Sequence, residues 1–511
     1  MTETARPPSR LAAAVAGLVA GGLGLGLAEL LAGVLPGAPS PILAIGSLVI
    51  ALQPPNAKQL MVDLFGEADK LVLNLAVLVA ALAITASIGL LARRSPQLAT
   101  LGLVGVGVLV LVAALRDPLV DPILAVGAAI LAVGAASVTL PRLLRLAAPP
   151  PEVRMLDFDR RRFLGWTVAA AGVAVAGGGL GRVLLERRAA AAEAVPSVPV
   201  PGATASPLPA GAELAVEGIS PLVTPNREFY RIDTALLTPR LDAGDWRLMV
   251  NGMVDNPFSL DYAELLAMPL IEQYVTIACV SNEVGGGLVG NALWRGVPLR
   301  ILLDRAGVQD GATQIVGRSF DGWTAGFPTA WLDEPGREAM VAVGMNGESL
   351  PPKHGFPARL IVPGLYGYVS ATKWLTNIEL TRLEDFDAYW VPLGWAKEAP
   401  ILTQSRIDVP RGGASVSTGS VAVAGVAWAP DRGISAVELR VDDGPWTQAE
   451  ISVAISDATW VQWLHRWEAP PGRHTLAVRA TDGTGEVQTD RVTRPPPDGA
   501  RGHHVIDVTV G

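Results

Sequence analysis

The chain of 511 residues has one cysteine, Cys279. That excludes an intramolecular disulfide, and it excludes a zinc or iron–sulfur centre built from cysteines. None of the five histidines lies in the apolar N-terminal region, and there is no Cys-x-x-Cys-His, so that region has no means of binding haem. Positive charge is also in deficit. A formal net charge of −8 gives no reason to expect nucleic-acid binding. No internal repeat is visible.

What the chain does have is apolar length at its start. Leu11–Leu35, Leu71–Leu91, Leu98–Leu115 and Pro122–Leu140 are each long enough to span a bilayer, and Phe163–Leu180 is a shorter, Gly/Ala-rich fifth run. Ile42–Leu52 is too short to cross and is stopped by Pro54-Pro55, so it reads as re-entrant or interfacial. Basic residues set the topology. Arg6 and Arg10, Arg93-Arg94, and Arg142, Arg145, Arg154 and Arg160–Arg162 all fall on the cytoplasmic side if there are five spans. A sixth crossing would put Arg93-Arg94 outside. Everything after about Arg182 is therefore expected outside the cytoplasm, in a multi-pass protein of the cell membrane. The run Asp159-Arg-Arg-Arg-Phe-Leu-Gly165 resembles a twin-arginine export signal, although ordinary positive flanking accounts for it equally well.

Composition then changes. Residues 1–188 form the membrane region, and Ala189–Ala212 is an Ala/Pro/Val/Ser tether. A first soluble unit, 213–399, mixes strands at Trp246–Val250, Tyr274–Ala278, Leu360–Val362 and Ile378–Leu380 with helices at Asp261–Ala267, preceded by a cap, and Leu299–Ala306. A second, 400–511, has short strands at Ser420–Ala427, Ala436–Val441, Thr475–Ala480 and Val505–Val510, with a hairpin signal at Asp442-Asp443-Gly444. That pattern argues an immunoglobulin-like sandwich. The fold class expected is thus multi-domain: transmembrane helices, an α+β unit, then an all-β sandwich.

Two motifs carry chemistry. Cys279 ends the strand Gln273–Ala278 and opens Val-Ser-Asn-Glu-Val-Gly-Gly-Gly287, so its thiol stands at a strand end beside backbone that a ligand can approach closely. Read alone, it is first a small buried hydrophobe, as most free cysteines are. Downstream, Lys353-His-Gly-Phe-Pro-Ala-Arg359, Val362-Pro-Gly364 and Ser370-Ala-Thr-Lys-Trp374 supply a His, an Arg and a Lys around a short strand, a set suited to an anionic phosphate. Taken singly, each of these is an ordinary surface charge.

Together the two motifs resemble the sulfite oxidase family of molybdopterin enzymes, from about Asn226 to Gly511. The resemblance implies a molybdenum–molybdopterin cofactor with Cys279 as the metal's thiolate ligand. It implies that His354, Arg359, Ser370 and Lys373 cradle the pterin and its phosphate. Asn226, Tyr230 and Arg231 occupy the first cofactor-contacting loop, and Arg318 and Ser319 are further candidates on the pterin side. The C-terminal unit would be the family's dimerisation domain, giving a homodimer.

Several positions depart from sulfite oxidases proper. Glu283 and Val284 stand where arginines follow the cysteine, Trp395 stands for a tyrosine, and Ala458-Thr459 for an arginine of the C-terminal unit. The pocket is therefore expected to be less basic and more aromatic, with Trp294 and Trp395 on its wall and Arg231 keeping one positive charge. The reading is a membrane-anchored, oxygen-atom-transferring oxidoreductase acting on a small-molecule substrate and exchanging electrons with a quinone pool or soluble carrier. The rivals are sulfite oxidase proper and a non-catalytic binding module on a membrane anchor. A transporter is disfavoured because the spans hold few ionisable residues, Glu29 being one.

Overall fold

The computed structural model describes residues 8–54, 57, 61, 64–65, 68–148, 156–190 and 197–511, with backbone alone at 156–160 and 189–190. Arg6, Arg154 and the side chain of Arg160, all used in the topology argument, lie outside the described residues, as does part of the 189–212 tether. The chain divides into two compact units. One holds residues 1–193 with the short segment 234–239, and the other holds 194–233 and 240–511.

The first unit is helical. Its elements are α1 (Arg10–Val34), α2 (Pro41–Leu52), α3 (Asp69–Ala92), α4 (Pro96–Ala114), α5 (Pro122–Ala147) and α6 (Leu156–Ala190). Five are long and apolar enough to cross a membrane; α2, with 12 residues, is not. Starts are set by a capping side chain followed by proline at Ser40-Pro41, Ser95-Pro96 and Asp121-Pro122, where the missing proline N–H costs no hydrogen bond. Leu75, Ile123 and Val168 face outward, as a lipid solvent requires. Small residues do the packing. Gly17 meets Gly89 of α3, and Gly26 and Gly33 meet Ala174 and Gly181 of α6, so closely that a Cβ would overlap the neighbouring backbone. Glu29 is buried in α1, and it caps α2: Ser40 Oγ donates to its carboxylate at 2.8 Å and the Ile42 N–H at 3.0 Å.

The second unit begins as α+β. Strands β1 (Arg247–Gly252), β2 (Phe258–Asp261), β5 (Gln314–Ser319), β6 (Thr324–Pro328) and β10 (Leu375–Thr381) form one sheet in the order β2-β1-β10-β5-β6. Strands β3 (Ile271–Ala278), β4 (Val289–Pro298), β7 (Met340–Met345) and β8 (Glu348–Ser349) form a second in that order, with β9 (Arg359–Ile361) paired to β7. Helices α7 (Tyr262–Leu266), α8 (Leu299–Ala306) and α9 (Gly367–Ser370) connect them. The cap of α7 is Asp261, the last residue of β2, closing a reciprocal capping box with Glu264.

The C-terminal region is all β. Strands β11 (Gln404–Val409), β13 (Gly419–Trp428), β16 (Glu450–Ile451) and β17 (Val461–Ala469) make one sheet in the order β11-β13-β17-β16. Strands β12 (Ser415–Val416), β14 (Ile434–Val441), β15 (Thr447–Gln448), β18 (Gly472–Asp482) and β19 (His504–Val510) make the other, in the order β12-β19-β18-β14-β15. Val423, Trp463, Leu439 and Val478, from both sheets, share one fully buried core, where each such side chain is worth about 1.5–3 kcal/mol. Asp442-Asp443-Gly444 does turn the chain back, with the Gly444 N–H on Val441 O at 3.0 Å.

Two devices tie this region to the α+β part. The Thr276 N–H of β3 donates to Ala458 O at 2.9 Å, and the Trp460 N–H donates to Thr276 Oγ1 at 2.8 Å. A buried ion chain runs from Arg337 to Asp431 (2.9 Å), to Arg432 (2.9 Å) and to Asp482 (3.0 Å).

Candidate active site

Cys279 follows the last residue of β3 and is 8% exposed. Its N–H donates to Leu288 O at 2.9 Å, its carbonyl accepts the Asn282 N–H at 3.0 Å, and Asn282 Oδ1 accepts the Leu288 N–H at 2.7 Å. The loop is thus closed on itself, which fixes where the sulfur sits. Arg406 Nη1 donates to Gly286 O at 2.7 Å, so the C-terminal region braces the same loop. Gly285 (φ +77°) packs on the His504 ring in a backbone conformation and a space that no side chain would share. Two phenols surround the thiol. Burial first, and the neighbouring Cys279 second, push the Tyr230 and Tyr366 hydroxyls well above their ordinary range. Both are therefore neutral hydrogen-bond donors at physiological pH.

The second group comes from the segment between β8 and β10. His354 ends a short 3₁₀ turn and is fully buried, its Nε2 lying 2.8 Å from Asn226 O. A carbonyl only accepts, so Nε2 carries the proton and Nδ1 is left as an acceptor with no partner. Burial, reinforced by Arg359, Lys373 and Lys353, pushes the His354 pKa down to about 3, the Asn226 bond opposing. The imidazole is neutral. Arg359 is 3% exposed. It donates to His354 O at 3.0 Å, lies 5.0 Å over the Trp294 ring and leaves Nε without a partner. At Gly355 (φ +117°) a Cβ would stand 3.1 Å from Lys373 Cα, so the close approach of this turn to the Lys373 backbone needs glycine. Lys373 Nζ donates to Asp233 at 3.0 Å and to Ile232 O at 3.1 Å; burial draws its pKa down to about 8. Arg231 reaches the same Asp233 carboxylate at 2.8 Å.

The structure thus gathers Asn226, Tyr230, Arg231, Cys279, His354, Arg359 and Lys373. Other expected residues stand differently. Arg318 alternates away from Ser319 along β5, pairs with Glu379 at 2.6 Å and lies over Phe386. Ser370 Oγ donates to Tyr366 O at 3.0 Å, within its own turn. Trp294 is 0% exposed and donates to Val275 O at 3.2 Å, so it underlies Arg359 and offers no surface to a substrate. Trp395 is half-buried, its ring 5.7 Å from that of Tyr368. Ala458 and Thr459 serve the β3 edge and an internal turn.

Sequence reasoning missed four residues here. Asp233 bridges Arg231 and Lys373; its spacing of two from Arg231 was the available signal. Tyr366 needed the tertiary fold. Asp498 and Arg501, from the loop before β19, make a bidentate pair with both contacts at 2.8 Å, and Arg501 bears on the ionisation of Tyr366.

Two buried polar atoms at this site have no partner, His354 Nδ1 and Arg359 Nε, and the buried Ser319 hydroxyl on β5 has none either. Orphaned polar atoms in protein interiors are rare and expensive. Among the described residues, no three His, Cys, Asp or Glu side chains converge on a metal position. A metal at Cys279 would therefore draw further ligands from a bound group or from solvent. A polar, anionic cofactor that brings its own metal ligands fits this donor set.

Comparison with known proteins agrees. Residues 235–390 match the family model described as "Oxidoreductase molybdopterin binding domain". Mitochondrial sulfite oxidase of Mus musculus is 30% identical over 329 residues, covering 55% of this chain and 59% of its own length. The oxidoreductase YuiH of Bacillus subtilis is 36% identical over 155 residues, 30% of this chain and 74% of its own length. Among solved structures, the sulfane dehydrogenase SoxCD of Paracoccus pantotrophus aligns with a TM-score of 0.49 and 24% identity, over 57% of this chain and 81% of that one. The chain spans somewhat more than half the length of the curated sulfite oxidases it matches. By its motifs, its matched domain and its likeness in sequence to YuiH and the sulfite oxidases, the chain belongs to the sulfite oxidase family of molybdopterin-dependent oxidoreductases.

Proposed function

We propose that this protein is a membrane-anchored molybdenum oxidoreductase of the oxygen-atom-transfer type, with its catalytic unit outside the cytoplasm. The observation that carries the reading is the neighbourhood of Cys279, Tyr230 and Arg359, with Arg359 bonded to His354 and both Arg359 Nε and His354 Nδ1 buried without a partner. When bound, the molybdenum–pterin group supplies two-electron redox chemistry and an exchangeable oxygen.

The chain's own residues supply position and charge. Cys279, held by its closed loop, provides the metal's soft thiolate ligand. Neutral His354 offers Nδ1 as an acceptor to a heterocycle N–H, while Arg359 and Lys373 face the phosphate end. A phosphate competing for Lys373 weakens the Asp233 contact and restores the ammonium charge that burial depresses. Tyr230 and Tyr366, kept neutral, are donors beside the reacting centre. Trp395 and Tyr368 form an aromatic wall. Five apolar spans and the arginine distribution support a multi-pass anchor with the site outside; Arg160–Arg162 support twin-arginine export of a loaded, folded unit. The two packed sheets of residues 400–511 support an immunoglobulin-like assignment and, with it, a homodimer. Electrons pass to or from a quinone or a soluble carrier.

The substrate is read as a small neutral S- or N-oxide. Arg231 and Arg501 are both engaged by aspartates, and Glu283 is exposed beside the cysteine. Sulfite is the second reading, favoured by the presence of Arg501 next to Tyr366.

The test is metal and pterin analysis of the purified protein, expected to give about one of each per chain on this reading. A Cys279→Ser variant should lose turnover, because an alcohol is a poor ligand for a soft site at neutral pH. Wild-type protein with neither metal nor pterin sinks the catalytic reading in favour of a binding module.

A further inference from the structure

One wall of the Cys279 site is built by the C-terminal region. Gly499 (φ +117°) lies so near Tyr366 that a Cβ would stand 2.6 Å from the phenol oxygen. Gly502 (φ +129°) lies against Val284 in the loop that follows Cys279. Tyr366 precedes Gly367, whose own Cβ position would be 3.7 Å from Ala278 O and 3.9 Å from the Tyr230 hydroxyl. Asp498 and Arg501 flank these contacts. Arg501 Nη1 donates to Asp498 Oδ1 and Nη2 to Oδ2, both at 2.8 Å. The Arg501 N–H donates to Thr493 Oγ1 at 3.0 Å, which fixes the backbone under the pair. Its side chains keep 29% and 37% exposure, so solutes reach it. Beneath the burial effect, Tyr366 and Tyr368 both register the Asp498 charge.

A guanidinium facing a site presents two parallel donors that match an oxyanion. Here Asp498 occupies both, and the pair carries no net charge. An incoming oxyanion must displace a carboxylate tethered three residues away, which competes at the high effective concentration of an intramolecular partner. Arg231 is also held by an aspartate, although Asp233 is shared with Lys373.

We propose that Asp498 is a specificity-determining residue: by holding Arg501 bidentately it keeps compact oxyanions out of the Cys279 site and reserves that site for neutral substrates. The proposal rests on the oxygen-transfer reading above, but its test does not depend on turnover. Sulfate binding to the full detergent-solubilised chain is measured by titration calorimetry at fixed ionic strength for wild type, Asp498→Asn, Asp498→Ala and Asp498→Asn/Arg501→Gln. Freeing the guanidinium should tighten sulfate binding about tenfold or more, one charge-assisted contact. The gain should vanish in the double variant. Unchanged affinity in both single variants overturns the proposal, and so does a gain that survives Arg501→Gln. In molybdenum-loaded protein the ratio of kcat/KM for sulfite to that for a neutral sulfoxide should rise about tenfold with Asp498→Asn. Tighter sulfate with an unchanged ratio overturns it as well, since the anion then binds off the reaction path. Loaded protein that turns over neither class defeats the functional reading, while the sulfate titration still judges Asp498.

Discussion

His354 shows how one residue couples the site to stability. Its folded pKa is about 3, against 6.5 for an ordinary imidazole. Below pH 6.5 the unfolded chain takes up a proton that the native imidazole refuses, so the native state loses stability as pH falls from about 6.5 to 3. His354→Gln removes that proton uptake. Denaturant midpoints measured from pH 7 to 4 should fall less steeply in the variant; parallel profiles would refute the assignment. The chemical identity of Cys279, His354, Arg359 and Lys373 was legible because each stands in a local motif with fixed spacing. Asp233, Asp498 and Arg501 were not: the Asp233 contact with Lys373 spans 140 positions, and the local Asp498–Arg501 pair lies in a C-terminal loop that only the fold brings beside Tyr366. Trp294 was misjudged for a related reason. Sequence places a tryptophan near a site, but only packing shows that its whole surface is taken by Arg359, Phe229 and the strand beneath.

At the scale of elements, the helices were the most readable part. Long apolar runs and Ser-Pro or Asp-Pro starts fix where α1 to α6 lie, whatever they pack against. The central strands of the C-terminal sheets were read from alternation and turn residues, but short edge strands such as β12, β15 and β16 have two residues each and carry no pattern. Glu29 is the informative exception within the helices. It appeared as an isolated charge in an apolar run, and the structure shows a cap for α2. Glu29→Leu leaves the Ser40 hydroxyl and the Ile42 N–H unpaired in an apolar setting. Thermal unfolding in detergent should show a loss of about 1–3 kcal/mol, and an unchanged midpoint would mean that lipid or water replaces the carboxylate.

For the whole molecule, the proposed arrangement of five spans with their basic ends on the cytoplasmic face puts the two termini on opposite sides of the membrane. A C-terminal fusion to a reporter that works only outside the cytoplasm should be active, and the same reporter at the N-terminus silent. The reverse result would refute the proposed orientation. The α+β unit was legible as a class, whereas its sheet order was not. β10 joins β1 in parallel across more than a hundred residues, so the segment bearing Arg231, the loop bearing Cys279, the turn bearing His354 and the loop bearing Arg501 meet only once the chain has closed on itself. The covering of β3 therefore has a meaning for quality control. β3 ends its sheet, and its outer edge is occupied by Ala203 on one stretch and by Ala458 and Trp460 on another. Were the C-terminal region cut away or late to fold, the hydrophobic edge Val275–Ala278, one residue from Cys279, would lie open to strands of other chains. The nascent molybdenum site would then double as a seed for aggregation.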